Sequence, residues 1–139
     1  MSAAKMRFDE VIVVDARLAD YEPLLTALGH DAVRVHLCSS GEDALRAAPN
    51  RGASLWVVNV LLPDMSGIGL LKLIRRRLPR SIVFLVGDTY SAEDELAART
   101  AGATAYVCKP PTLTWIRADQ IRGRTPAIRA GPSASRPQP

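Results

Sequence analysis

Cysteine is scarce: Cys38 and Cys108 are the only two. Two thiols cannot form a disulfide framework, and they lack the paired spacing of a zinc site. The sequence therefore implies two buried or half-buried thiols and no metal. No apolar run reaches the length needed to span a bilayer. Residues 1–7 lack the apolar stretch of a signal peptide, so the cytoplasm is the expected compartment, with no membrane association. Acidic and aromatic residues are both missing from 121–139, which carry Arg122, Arg124, Arg129 and Arg136. Acids and bases cancel over residues 1–120, so the net charge of +4 belongs to this tail. The basic balance thus predicts no basic face on the folded part. Four arginines without aromatic partners offer nucleic acid only weak, non-specific attraction, and such binding is not expected to be the function.

What is present fits one domain. The chain has 139 residues, 47% of them apolar, enough for one core and too few for two. Strand-like and helix-like segments alternate. Val11 to Val14 is a β-branched run of the kind buried in parallel sheets. Leu18, Tyr21, Leu24, Leu25 and Leu28 recur at helical spacing up to Gly29, and Pro23 requires that helix to begin near Asp20. Val33 to Cys38 reads as a second strand, followed by a capping box, Ser39-Ser40-Gly41-Glu42, that opens a helix to about Ala48. Leu55 to Val58 is a third strand, and Ile68, Leu71, Ile74 and Leu78 line a helix. Ile82 to Val86 is a fourth strand, Ser91 caps the next helix, and Ala105 to Cys108 is a fifth strand. A short last helix is expected over 112–122. The organisation expected is an extension over 1–8, a domain over 9–122, and a disordered basic Pro/Ser/Arg tail over 123–139, with no output domain after it.

Five successive strand–helix units imply a doubly wound α/β fold, a parallel sheet with helices on both faces. Sites in such sheets lie at the carboxyl ends of the strands. That rule selects Asp15, Asn59, the Val86-Gly87-Asp88 run and Lys109.

Those positions carry a resemblance. Val13-Val14-Asp15, the loop Asn59-Val60-Leu61-Leu62-Pro63-Asp64-Met65-Ser66-Gly67, Ala101-Gly102-Ala103 and Tyr106-Val107-Cys108-Lys109-Pro110 resemble the receiver domains of bacterial response regulators over about residues 9–121. The resemblance implies a flavodoxin-like sheet of strand order 2-1-3-4-5 and a place in two-component phosphorelay signalling. In that family a histidine kinase phosphorylates an Asp after the third strand. An acidic pair helps hold Mg²⁺, and a Thr or Ser and a Lys contact the phosphoryl oxygens.

Here Asn59 stands at the phosphoacceptor position, and an amide cannot form an acyl phosphate. Ala16 replaces the second acid, leaving Asp15 as the remnant of the acidic pocket. Val86 is aligned with the Thr or Ser and has no hydroxyl. One acid and an amide make a weak Mg²⁺ site, so no cofactor is expected. Lys109 is retained, and its ammonium is expected to turn to Asp15 as a structural contact, ligand binding being the alternative. The resemblance also implies a cis bond before Pro110. Tyr106 is either a rotameric switch, as in the family, or a fixed half-buried aromatic. Asp64 and Asp88 are the other acids that could accept a modification. Arg75, Arg76 and Arg77 end a helix, where cations complement the dipole; a nucleic-acid patch is the alternative. Trp115 falls off the Leu113/Ile116 stripe and is expected to be exposed.

The reading that follows is a stand-alone pseudo-receiver, not an enzyme, that acts by protein–protein contact. Its partner would be a histidine kinase or another regulator. The fourth helix, fifth strand and fifth helix are the expected surface, with Tyr106 and Trp115 as anchors and a homodimer as one form of contact. A nucleotide- or small-ligand-binding protein on the same fold is the alternative from another class. Against it, the loop Asp15-Ala16-Arg17-Leu18-Ala19 has none of the glycines that cradle phosphate.

Overall fold

A computed structural model describes residues 10–29, 34–47, 54–112 and 115. Strand β1 (Glu10–Val14) runs into a 3-10 turn (Leu18–Tyr21) and helix α1 (Glu22–Leu28). The later elements are β2 (Arg34–Cys38), α2 (Gly41–Ala47), β3 (Ser54–Asn59), α3 (Gly67–Arg77), β4 (Ile82–Gly87), α4 (Ala92–Thr100) and β5 (Ala105–Cys108). All strand pairings are parallel, in the order β2-β1-β3-β4-β5. This is the doubly wound arrangement expected from the alternation of segments, with the flavodoxin-like strand order that the resemblance implies.

Alternation along the strands divides the core in two. Ile12, Val14, Trp56, Val58, Val83 and Leu85 face α2, α3 and α4 through Ala44, Leu70, Leu71, Ile74 and Ala98. Val11, Val13, Leu55, Val57, Phe84 and Val86 face the other way, against Tyr21, Leu24 and Leu28 of the first helical segment. Each fully buried aliphatic side chain contributes about 1.5–3 kcal/mol. Trp56 is fully buried at the sheet centre, and its indole N–H donates to Ser54 Oγ at 3.2 Å.

Local chemistry sets where the helices begin, and it differs from the sequence reading in two places. Pro23 lies in the first turn of α1, so the α-helix starts at Glu22, with the 3-10 turn before it. At α2 it is Ser40, not Ser39, that caps, its Oγ accepting from the Asp43 amide at 3.1 Å. Ser66 and Ser91 cap α3 and α4 in the same way, accepting from the Gly69 and Asp94 amides.

Trp115 is half-buried and packs against the core on the α1 side, which corrects the expectation of an exposed indole. A large apolar ring gains more from that core than from water. The remainder of the expected last helix, the extension over 1–8 and the tail over 123–139 lie outside the described residues.

Candidate functional site

The parallel register brings four side chains together at the carboxyl edge of the sheet. Asp15 follows β1, Asn59 ends β3 opposite Val86, Asp88 follows β4, and Lys109 follows β5. Asp15 and Asn59 are almost fully buried. The 3-10 turn adds two residues that the sequence reading did not single out, Asp20 and Tyr21.

Both side-chain polar atoms of Asn59 are engaged. Its Nδ2 donates to Asp15 Oδ2 at 2.9 Å and to Asp88 Oδ1 at 3.0 Å. Its Oδ1 accepts from the Leu61 amide at 2.8 Å. Asp15 is equally occupied. Its Oδ1 accepts from the Arg17 amide at 2.9 Å, and its Oδ2 accepts from the Tyr21 hydroxyl at 2.7 Å as well as from Asn59.

The Lys109 ammonium sits among three carboxylates: 3.0 Å from Asp15, 2.7 Å from Asp20 and 2.9 Å from Asp88. It also lies 5.5 Å from the centroid of the Tyr21 ring, within cation–π range. The expected Lys109–Asp15 contact is present, but Asp15 is not alone as the sequence reading had it. Asp20 and Asp88, with 36% and 45% of their side chains exposed, complete the triad.

The charges follow from this geometry. Burial alone would lower the Lys109 ammonium, but hydrogen bonds to Asp20, Asp88 and Asp15 outweigh it and hold the group above the usual lysine range. Donation from Lys109, then from Asn59, holds Asp88 below the ordinary carboxylate value. Burial, reinforced by Asp15, raises the Tyr21 hydroxyl, so it stays a donor.

Val86 requires a correction. Its side chain is fully buried in the core on the α1 side and does not line the site. Strand alternation turns it inward, and the next residue, Gly87, lies beside Tyr106. Neither residue offers a hydroxyl. Ala16 is exposed and carries no polar group.

The Lys109–Pro110 peptide bond is cis. Tyr106 is half-buried, its hydroxyl accepting from the Ser91 amide at 3.1 Å and pointing to Thr89 O at 3.4 Å. Asp64 does not reach the site; its carboxylate accepts from the Gly41 and Glu42 amides, both at 2.9 Å, at the start of α2. Those bonds hold it below the usual carboxylate range. Arg75 is neither freely solvated nor part of an open patch. It donates to Gly102 O, Ser81 O and Thr104 Oγ1, at the opposite edge of the sheet.

Asp20 and Tyr21 were missed because Asp20 read as the start of a helix and Tyr21 as a member of its apolar stripe. One signal was available. Tyr21 is the only aromatic on a stripe otherwise made of leucines, and a buried hydroxyl needs a polar partner.

Comparison with known proteins agrees with this architecture. The response regulator receiver domain family matches residues 11–119. The probable transcriptional regulatory protein TcrX of Mycobacterium tuberculosis is 34% identical over 100 residues, covering 72% of this chain and 43% of that protein. Transcriptional regulatory protein KdpE of Mycobacterium tuberculosis is 35% identical over 100 residues, covering 72% and 44%. This chain thus spans less than half the length of these relatives. Among solved structures, DrrB, an OmpR/PhoB homologue of Thermotoga maritima, superposes with a TM-score of 0.69 at 28% identity, covering 83% of this chain and 52% of that one. A CheY-like receiver domain protein of Methanospirillum hungatei superposes at 0.70 with 22% identity, covering 84% and 97%, a likeness of fold alone. The chain belongs to the response regulator receiver domains of two-component systems.

Proposed function

We propose that this receiver does not undergo phosphotransfer and instead works as a protein-interaction module whose pocket is closed by its own side chains. The observation that carries the reading is the Asn59 amide, which donates to Asp15 and Asp88 at once. A phosphoacceptor must present an unencumbered carboxylate to its donor. Here the atom at that position is a donor, and the carboxylates around it are already occupied.

A magnesium ion does not fit this donor set. Mg²⁺ asks for near-octahedral oxygen ligands at about 2.0–2.1 Å. Asp15 Oδ2 already lies within 3.0 Å of three donors, from Tyr21, Asn59 and Lys109. The ammonium of Lys109 occupies the space among the three carboxylates that a cation would need. A nucleotide-phosphate reading is disfavoured by the same geometry, since a phosphate would meet Asp15, Asp20 and Asp88 with one lysine among them.

Interaction then rests on surface. Tyr90, edge-on to the half-buried Tyr106, is 61% exposed, and Leu96 on α4 is 67% exposed. This apolar set supports a partner contact there, with a signalling protein or a second copy of the chain. The NtrC4 receiver, a structural neighbour at 19% identity, is a dimer in its beryllofluoride-activated form. No helix among the described residues is long and apolar enough to cross a membrane.

Incubation with acetyl phosphate and Mg²⁺, followed by intact-mass measurement, tests the reading. No gain of a phosphoryl group is expected. A stoichiometric, hydroxylamine-labile adduct would overturn it.

A further inference from the structure

Gly87 ends β4 with no side chain, and the space beside it is filled. A Cβ built there would stand 2.6 Å from the Tyr106 hydroxyl oxygen and 2.7 Å from Thr89 O. Both distances are closer than atoms tolerate, so any larger residue must move the tyrosine, the loop or both. The Tyr106 hydroxyl accepts from the Ser91 amide, and Ser91 is the N-cap of α4. The Tyr106 ring meets Tyr90 edge-on with centroids 6.0 Å apart, and the Tyr90 hydroxyl donates to Glu95 of α4. A chain of contacts therefore runs from the bare Cα of Gly87 through Tyr106 to the first turn of α4.

We propose that Gly87 is a positioning residue that seats Tyr106 permanently, so that Tyr106 latches the β4–α4 connection and the exposed Tyr90/Leu96 surface into one conformation. The latch deepens the proposed function, and rests on it only for the claim that no phosphoryl group arrives to disturb the seat. Burial raises the Tyr106 hydroxyl, which keeps it protonated and able to bond Thr89 O and Ser91 N together.

Amide hydrogen exchange of Ser91, followed by NMR on the full chain without phosphodonor, tests the latch. Tyr106→Phe removes one oxygen and should speed Ser91 exchange by about tenfold, the effect of one lost hydrogen bond. Gly87→Ala should speed it at least to the same degree, because its Cβ displaces the Tyr106 hydroxyl and also presses on Thr89 O. Wild-type protection of Ser91 in Tyr106→Phe would overturn the latch, and this variant is conservative enough to fold even if Gly87→Ala is not. Wild-type protection of Ser91 in a folded Gly87→Ala would overturn the role of Gly87. A phosphoryl adduct in the mass experiment would overturn the proposed function, while the Ser91 exchange still decides the latch.

Discussion

At the scale of single residues, Lys109 and Asn59 do opposite kinds of neutralising. Lys109 supplies charge to three carboxylates, whereas Asn59 supplies two N–H donors without charge. Lys109→Ala leaves Asp15 buried with one cation fewer, and removing one partner of a buried pair costs on the order of 3–5 kcal/mol. Asp20 and Asp88 are partly exposed, so their separate pairings are worth only about 0–1 kcal/mol each. Chemical denaturation should therefore find Lys109→Ala and Asp15→Ala strongly destabilising and coupled in a double-mutant cycle, with Asp20→Ala near neutral. Additive Lys109 and Asp15 effects would reject the shared contact. Asn59→Asp exchanges two donors for a charge facing Asp15 and Asp88. It should lower stability by about 1–3 kcal/mol or more, read as a shifted denaturation midpoint. At this scale the sequence shows an amide at 59 and an apolar residue at 16, because residue identity alone decides it. It offered one hint of Tyr21, the aromatic on a leucine stripe, and none of Asp20, because their role depends on a 3-10 turn that replaces the first helical turn and carries both into the site.

At the scale of elements, two contacts hold the ends of the sheet in place. Gly67 opens α3 against the end of β3, and a Cβ there would fall 2.1 Å from the Asn59 carbonyl oxygen. Backbone cannot yield as a side chain can, so Gly67→Ala should cost at the upper end of about 1–3 kcal/mol, measured by denaturation. At the opposite edge Arg75 ties α3 to the segments before β4 and β5. Arg75→Ala leaves the partly buried Ser81 carbonyl without its donor and should cost about 1–2 kcal/mol, while Arg76→Ala, on the exposed face, should be near neutral. The strands were legible to within a residue or two because a parallel sheet buries both faces and leaves continuous β-branched runs. Helix starts were less legible. Two adjacent serines at 39 and 40 each fit a cap, and only the backbone path selects Ser40. Arg75 was read with its neighbours as a solvated helix end, since nothing in the sequence distinguishes the one arginine that turns back over the loops.

For the whole molecule, strand order and charge make separate predictions. Cys38 and Cys108 lie on β2 and β5, the two edges of the sheet, four strand spacings or about 19 Å apart. That is beyond the roughly 7 Å Cα separation a disulfide allows, and both cysteines are free. Burial raises both thiols, so alkylation at neutral pH should be slow in the native protein and reach both residues after unfolding. A rapid reaction of either native thiol would contradict their burial.

The pH dependence follows from the pocket. Asp88 is depressed in the folded state, so its contribution is present above the unfolded value of about 3.9 and is lost as pH falls through the lower folded value. Lys109 is raised, so its contribution is complete below about 10.4 and is lost only as pH rises through the higher folded value. Thermal melts should show a flat plateau from about pH 5 to 9 with respect to these groups, and Asp88→Asn should weaken the acid limb.

The central claim is that the pocket satisfies itself without a metal, and the side-chain amide protons of Asn59 report on it directly. Their NMR resonances should be followed through a Mg²⁺ titration of the full chain. The account predicts two separate resonances, each held by one carboxylate, that do not move as Mg²⁺ is added. A saturable shift of both, with loss of their protection from exchange, would mean that the ion displaces Lys109 and Asn59, and would contradict the account.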